Sequence, residues 1–330
     1  MKKKLVNNPD HVVEEMVEGI VMADPESLEK LEDYNIVVRK SSPNEKVALV
    51  SGGGSGHEPT HAGYVGTGML DGAIAGDVFT SPTPDAVFEA VKAVDGGKGV
   101  LLVIKNYTGD VMNFEMAEEM AEAEGIEVDH VVVNDDVAVE DSLYTTGRRG
   151  VAGTIFVHKI AGAMAEAGGE LAEVKEVAEK VIANVRTKGM ALYPCRVPSA
   201  DESTFTLDED EIELGIGIHG EPGTERTETM KADEVVDELL GSVIEDIPYE
   251  EGDEVALMVN GMGGTPLMEL FVVNRRAHQI LEEKGIKIHK TFVGEYMTSL
   301  EMAGVSVTLL KLDDEMKELL DAPTDINIMK

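Results

Sequence analysis

The sequence contains one cysteine, Cys195, and no tryptophan, and aromatic residues make up only 4% of its 330 residues. A single cysteine cannot form an internal disulfide and lacks the partner thiols of a cysteine metal site, so we expect it to be a small buried side chain. No apolar run approaches the roughly 20 residues of a membrane span. The residues after Met1 also lack the apolar core of a signal peptide. These absences predict a cytoplasmic protein without a membrane segment.

Positive charge is scarce as well. The chain has 28 Lys and Arg against 64 Asp and Glu, a formal net charge of −36. This balance argues against a nucleic-acid partner, because the phosphates would be repelled. The acidic residues are spread through segments that look folded, which is typical of a surface adapted to high salt, where the Debye length falls to about 3 Å at 1 M. We expect a halophilic source; an ordinary acidic cytoplasmic protein is the alternative.

Helix-like and strand-like segments alternate along the chain, and 43% of its residues are hydrophobic. This pattern predicts an α/β fold with two α/β domains, residues 1–188 and 189–330, each a sheet flanked by helices. Predicted helices are Pro9–Met22, one after Pro59, Pro84–Val94, Val111–Glu124, Gly153–Ala167, Leu171–Arg186, Ala232–Ile244 and Pro266–Glu283. Predicted strands are Lys46–Val50, Leu70–Ala75, Gly99–Ile104, Glu127–Val133, Ile212–Ile218, Glu254–Val259, Lys287–Val293 and Ser306–Leu310. A buried helix face is predicted for residues that recur at helical spacing, namely Met112, Met116 and Met120.

The most informative segment is Ser51–Pro59, SGGGSGHEP, which follows the apolar run Val47–Val50. We interpret it as a turn from a buried strand into a helix starting near Pro59, where bare backbone N–H groups approach a small oxygen-rich ligand. His57 adds a titratable group, although a tight turn with an incidental histidine is the simpler alternative. The segment lacks the lysine of a P-loop and the third glycine or alanine of the dinucleotide fingerprint. We therefore expect this chain to bind no nucleotide cofactor of its own.

The end of this segment overlaps the sequence HEPTH, His57–His61, which formally matches the H-E-x-x-H pattern of zinc proteases. That pattern requires both histidines on one face of a continuous helix. Pro59 disfavours helical geometry at Glu58 and moves the helix start beyond His57. No metal site is therefore expected, and a zinc hydrolase is a remote alternative.

Polar residues follow three predicted strands: the glycine segment, Lys105–Asp110 (KNYTGD) and Asn134–Asp136. In open α/β sheets, ligands collect beyond the carboxyl ends of the strands. Lys105 can hold an oxyanion or polarise a carbonyl, and Asp110 can accept a proton from a hydroxyl. Each also has a simpler explanation, because Asp110 can be a helix cap and Lys105 a surface lysine with a buried stem.

In the second half of the chain, the segment Gly215–Gly223 reads GIGIHGEPG. The glycines at positions 217 and 220 leave the imidazole of His219 unusually approachable, as a nucleophile or a general base needs. The alternative is a histidine in a hairpin turn.

Five segments together resemble the K subunit, or K domain, of dihydroxyacetone kinases: SGGGSGHEPTHAGYVGTGMLDGAIAGDVFTSP, VIKNYTGDVMNFEMA, GIGIHGEPG, NGMGGTPLMEL and GEYMTSLEMAGVSVTLL. They occur in the family's order and span nearly the whole chain. The resemblance implies a two-domain α/β protein, usually a homodimer, that binds dihydroxyacetone as a covalent hemiaminal on a histidine. The terminal hydroxyl of the bound ketone then receives a phosphoryl group.

Carried onto this chain, the resemblance implies that His219 is the hemiaminal histidine and that His57 and Asp110 are the acid/base pair. The family's substrate-binding positions match these residues together with Gly54, Ser55, Gly56 and Lys105.

The resemblance also implies that ADP or ATP with Mg sits on a separate L subunit, because this sequence has no nucleotide domain. The short K-only chain resembles the arrangement in which a phosphotransferase-system M subunit recharges that nucleotide; exchanging ATP is the alternative. Some relatives bind the same ketone without catalysis and regulate transcription. The presence of both His57 and Asp110 beside His219 favours catalysis, since a sensor needs only the covalent histidine.

Overall fold

The computed structural model describes residues 3–41, 45–142 and 145–330. Its first half forms α1 (Val12–Ala23), β1 (Leu28–Lys30), β2 (Ile36–Arg39), β3 (Ala48–Ser55), β4 (Gly72–Val78), α2 (Pro84–Val94), β5 (Val100–Lys105), α3 (Thr108–Ala123), β6 (Val128–Val133), α4 (Thr154–Glu166) and α5 (Leu171–Asn184). The second half forms β7 (Val185–Tyr193), β8 (Glu211–Leu214), β9 (Glu225–Glu228), α6 (Ala232–Asp246), β10 (Glu254–Gly261), α7 (Leu267–Glu283), β11 (Lys287–Gly294), β12 (Ala303–Leu312) and α8 (Asp314–Asp321). Of the helices in these ranges, none is both long and apolar enough to cross a membrane.

The first sheet has the strand order β1-β2-β4-β3-β5-β6. The strands from β4 to β6 are parallel, and β1 and β2 add an antiparallel edge. All residues of β3 and β5 are buried, as expected for central parallel strands with helices on both faces. The carboxyl ends of β3 and β5 therefore meet at one edge, which brings the glycine segment next to Lys105.

The second sheet has the order β11-β10-β12-β7-β8-β9. Only the pair β10–β11 is parallel among its described pairings. Helices α6 and α7 cover its outer face, and α2 and α3 cover the outer face of the first sheet. The predicted α/β class is confirmed.

Helices α4 and α5 lie between the two sheets, where α4 contacts β3 and β5 and α5 contacts β5, β6 and β12. Their apolar residues belong to one core that continues across both halves, from Val13 to Met329. The predicted division between residues 188 and 189 falls inside β7, which pairs with β12 and β8 of the second sheet. The last helix, α8, returns to pack on α4. Cys195 is fully buried in this core, as predicted.

The helix predicted after Pro59 is wrong. Strand β3 continues through the glycines to Ser55, pairing with β4 along this length, and only a short 3-10 helix, Ala62–Tyr64, follows. The reason is that the backbone of Gly52, Gly53 and Gly54 pairs with β4, while the pairing of β3 with β5 ends at Ser51. The sequence also did not predict the strands β1, β2, β7 and β9 or the helix α8.

The predicted burial of the methionines on α3 is also wrong. Met112, Met116 and Met120 are 56%, 51% and 37% exposed. The helix instead buries the residues Phe114, Ala117 and Ala121 against the first sheet.

Candidate active site

The glycine cradle is the end of strand β3 packed against the segment after β4. A side chain at position 54 would place its Cβ 2.5 Å from the amide nitrogen of Thr80, and one at position 56 would meet the ring of Phe79 at 2.8 Å. Gly56 also has a φ of +107°, which L side chains rarely adopt. The glycines are therefore required by close packing as well as by any approach of a ligand to the backbone.

Residues of the second half of the chain hold the glycine cradle in place through hydrogen bonds. The amide of Leu300 donates to the carbonyl of Gly56 at 2.7 Å, and the amide of Thr298 donates to the carbonyl of His57 at 3.2 Å. The hydroxyl of Thr60 donates to the carbonyl of Tyr296 at 2.7 Å. The site is thus built where the two halves of the chain meet.

His57 is almost completely buried, with its Nδ1 2.8 Å from the carbonyl oxygen of Thr298. Because a carbonyl only accepts, Nδ1 carries the proton, and Nε2 is left as an acceptor without a partner among the described residues. Burial lowers the pKa of His57 well below its ordinary value, and the neighbouring His219 and Lys105 lower it further. The ring is therefore neutral, with an unprotonated Nε2 that can accept a hydrogen bond.

His219 lies edge-on to three rings, with centroid distances of 4.8 Å to His57, 5.2 Å to Phe79 and 4.8 Å to Tyr107. Its Nδ1 is 2.9 Å from Oε1 of Glu221, and its backbone amide donates to Oε2 of the same carboxylate at 2.9 Å. The carboxylate holds the proton on Nδ1, so the lone pair of Nε2 is free for chemistry.

Glu221 is a site residue that the sequence reasoning did not single out. Burial by itself would raise its pKa, but His219 and Arg149 outweigh burial and lower the pKa to about 2. The carboxylate is therefore ionised beside the imidazole. The sequence did contain a signal, since Glu221 lies two residues after His219 in GIHGEPG. This separation is short enough for the carboxylate to reach both the imidazole and the backbone amide of His219.

Lys105 ends β5 and is only 1% exposed, which excludes the surface role considered from the sequence. Its Nζ lies 3.4 Å from Oδ2 of Asp110 and 3.1 Å from the carbonyl oxygen of Gly52. Asp110 is buried in the first turn of α3, a helix with no side-chain cap, so the cap explanation is also excluded. The two residues form a buried ion pair.

A cavity of about 750 Å³ brings part of this set together. Among the predicted site residues, Gly54, Asp110 and His219 line it, together with Phe79, Thr80, Ser81, Tyr107, Thr108, Gly109 and Asn113. Gly56, His57 and Lys105 adjoin these residues through the contacts above. The hydroxyl of Ser55 donates to the carbonyl of Gly76 at 2.7 Å, so its side chain is held by β4.

The third polar segment, 134–136, supports the loops of the site. Asp136 binds Arg149 at 2.7 Å, and Arg149 donates to the carbonyl of Gly215 at 2.8 Å. Asp135 accepts from the amides of Val151 and Gly153 before α4. These contacts connect the first sheet to the segment that carries His219.

The segment His57–His61, which matches the H-E-x-x-H motif, does not form the helix of a zinc protease. His57 and His61 bond different partners, and the residues between them are not helical. In the described ranges, the side chains placed closely enough to share a metal ion are those of Glu118, Asp129 and His130.

The fold and the site define an α/β protein in which a carboxylate-held histidine, His219, and the buried carboxylate Asp110 line one cavity. The family model of the Dak1 domain matches residues 18–328, and the chain belongs to this family.

The similarity to known proteins extends over nearly the full length of this chain. The chain is 55% identical over 324 residues to the dihydroxyacetone-binding subunit DhaK of a PTS-dependent dihydroxyacetone kinase from Listeria innocua, covering 98% of each. The dihydroxyacetone kinase of C. freundii is 37% identical with a TM-score of 0.92, covering 98% of this chain, which spans 60% of that kinase chain. The dihydroxyacetone kinase operon co-activator Dha-DhaQ is 38% identical with a TM-score of 0.90, over 94% of this chain and 96% of that chain.

Proposed function

We propose that this chain is the dihydroxyacetone-binding subunit of a phosphotransferase-system dihydroxyacetone kinase, which produces dihydroxyacetone phosphate. The name of the Listeria innocua relative supports this assignment. The single observation that carries it is the arrangement at His219, whose Nδ1 is held by Glu221 while the ring lines the cavity with Asp110.

Covalent capture suits so small a ligand. A three-carbon ketone has too little apolar surface for hydrophobic burial to select it over glycerol, whereas only the ketone offers an electrophilic carbon. When Nε2 of His219 adds to this carbon, the C=O π bond breaks and the ring becomes an imidazolium paired with Glu221. The former carbonyl oxygen takes up a proton, which Nε2 of His57 can relay from water.

Phosphoryl transfer then requires a base for the attacking hydroxyl. Asp110 lines the cavity and is the proposed base for the attacking hydroxyl. The adjacent Lys105 ammonium counters the negative charge that develops on the attacking oxygen. Capture on His219 holds the hydroxyl in a fixed direction, which converts the transfer into a reaction between positioned groups.

The phosphoryl donor is proposed to come on another chain. ADP or ATP with Mg is assigned to a nucleotide-binding L subunit, itself recharged by a phosphotransferase-system M subunit, because neither nucleotide fingerprint occurs in this sequence. The volume of the cavity supports this arrangement, since a three-carbon ketone fills only a small part of it.

A homodimer is proposed through the start of α7. This helix exposes four large apolar side chains, Leu267, Met268, Phe271 and Val272, at 42% to 75%. A second copy would cover them, because apolar clusters on helix faces are typical of subunit interfaces. Phe271→Asp should therefore give monomers in light scattering; an unchanged dimer would place the interface elsewhere.

A second candidate function is a noncatalytic coregulator that senses dihydroxyacetone. The similarity to the operon co-activator favours it, because the two folds match over nearly their full lengths. Turnover separates the two candidates.

The deciding experiment is a carbon NMR spectrum of dihydroxyacetone labelled at the carbonyl carbon. We expect the ketone signal to convert to a tetrahedral carbon with the parent protein but not with His219→Ala. His289→Ala is the matched control, since this histidine pairs with Asp321 outside the cavity. Capture that persists in His219→Ala would contradict the assignment. With an L-type partner, Asp110→Asn should retain capture but phosphorylate about 10²-fold more slowly.

A further inference from the structure

Lys105 has three buried acceptors around its ammonium. Its Nζ lies 2.9 Å from Nε2 of His61, 3.1 Å from the carbonyl oxygen of Gly52 and 3.4 Å from Oδ2 of Asp110. A lysine ammonium has three N–H donors and no acceptor. Each of these three atoms therefore accepts from one N–H of Lys105. His61 can accept only if its Nε2 is unprotonated.

This requirement determines the protons of the residues behind His61. A neutral ring that accepts at Nε2 carries its proton on Nδ1, which lies 3.0 Å from Nε2 of His158 and 3.2 Å from Oγ of Ser51. Ser51 donates its own proton to the carbonyl of Val103, so it accepts from His61. The single Nδ1 proton of His61 is thus shared between Ser51 and Nε2 of His158, so His158 holds its own proton on Nδ1, which has no partner among the described residues.

Both rings are neutral for physical reasons. His61 and His158 are buried, and burial is the larger cause that lowers the pKa of each. The positive charge of Lys105 lowers both pKa values as well, and the two causes together bring the pKa of His158 to about 3. A protonated His61 would lose its acceptor and place a second positive charge against Lys105.

We propose that His61 is a positioning residue for phosphoryl transfer: with His158 behind it, its Nε2 holds the Lys105 ammonium in the orientation that reaches the carboxylate of Asp110. This role concerns a histidine on the loop after β3 that does not line the cavity. The inference about transfer rests on the proposed function, whereas the proton arrangement rests on the contacts alone.

A purely structural role predicts something different. If His61 served only to fill space, any side chain of similar volume would replace it. The positioning role instead requires an acceptor near the place of Nε2. Glutamine supplies one with its side-chain oxygen, and leucine packs without one, so the pair separates the two roles.

The kinetic test uses the whole chain with an L-type partner. His61→Leu should lower kcat by about 10- to 100-fold, the range expected when a hydrogen bond to a charged group is lost. His61→Gln should recover most of this loss. Covalent capture of labelled dihydroxyacetone should remain in both, because His219 and Glu221 are untouched, and this readout confirms that the variants fold. Equal kcat values in the two variants would overturn the proposal.

The proton arrangement is tested without turnover. In protein labelled with ¹⁵N at histidine, His61 should appear as the tautomer protonated at Nδ1, identified by the signal lost in His61→Gln. An Nε2-protonated ring or an imidazolium would overturn the inference. If the parent shows capture but no turnover, the proposed kinase function fails, and the tautomer decides the proton arrangement separately.

Discussion

The partner of Nδ1 gives each histidine of the site its own chemistry. A backbone carbonyl holds the proton on Nδ1 of His57 and leaves a buried acceptor at Nε2. A carboxylate does the same for His219, and in the proposed reaction it would also stabilise the cation formed when Nε2 adds to the ketone. Under the proposed function, the same residue type therefore serves as a proton relay at position 57 and as a nucleophile at position 219.

Glu221→Gln should weaken covalent capture of dihydroxyacetone by roughly 10- to 100-fold, because the imidazolium formed on addition loses its charged partner. The measurement is a titration of the tetrahedral carbon signal in the NMR experiment.

Glu213→Gln is the control for this change. Glu213 is a buried carboxylate on strand β8 that accepts hydrogen bonds from the side chain of Arg226 and the backbone amide of Gly223. Its loss should leave capture nearly unchanged. Equal capture by the parent protein and Glu221→Gln would contradict the role assigned to Glu221.

At the scale of elements, helix α3 shows why spacing alone did not identify the buried face. The methionines at 112, 116 and 120 and the residues Phe114, Ala117 and Ala121 both recur at helical spacing. The buried set contains two alanines, whose small side chains let the helix lie close to the sheet. Helical spacing was the basis of the prediction and fits both sets, so the position of the sheet decided which face is buried.

Substitutions on the two faces of α3 should differ sharply. Met116→Gln should change the free energy of unfolding by no more than about 0.5 kcal/mol, because the side chain is half exposed. Phe114→Ala should cost about 3–5 kcal/mol, since it empties a fully buried site. Denaturant unfolding measures both. A large loss in Met116→Gln would show that another surface covers the methionines.

At the scale of the whole molecule, the dominant property is the net charge of −36. Self-repulsion of this size destabilises the compact state at low salt, and salt screens it. The melting temperature should therefore rise between low and molar KCl, as scanning calorimetry can measure. A flat melting temperature across this range would contradict the halophilic origin, which stays a prediction, as does the cytoplasmic location.

A triple variant tests whether screening is the cause. Glu115, Glu119 and Glu122 are exposed on α3, with like charges four and three residues apart. Changing all three to glutamine should raise the melting temperature at low salt, and the difference from the parent should shrink in molar KCl. An equal difference at both salt concentrations would exclude screening as the reason.

The sequence by itself determined the α/β class, most of the helices and the identity of the residues at the strand ends, because periodicity and glycine placement are local properties. It also indicated which segments carry chemistry, through their resemblance to a known family. Only the tertiary structure decided that β3 runs through the glycines, that α3 exposes its methionines, and that Glu221 and His61 orient His219 and Lys105. Each of these depends on a neighbour from another element, and burial and hydrogen bonding to such neighbours outweigh local preference.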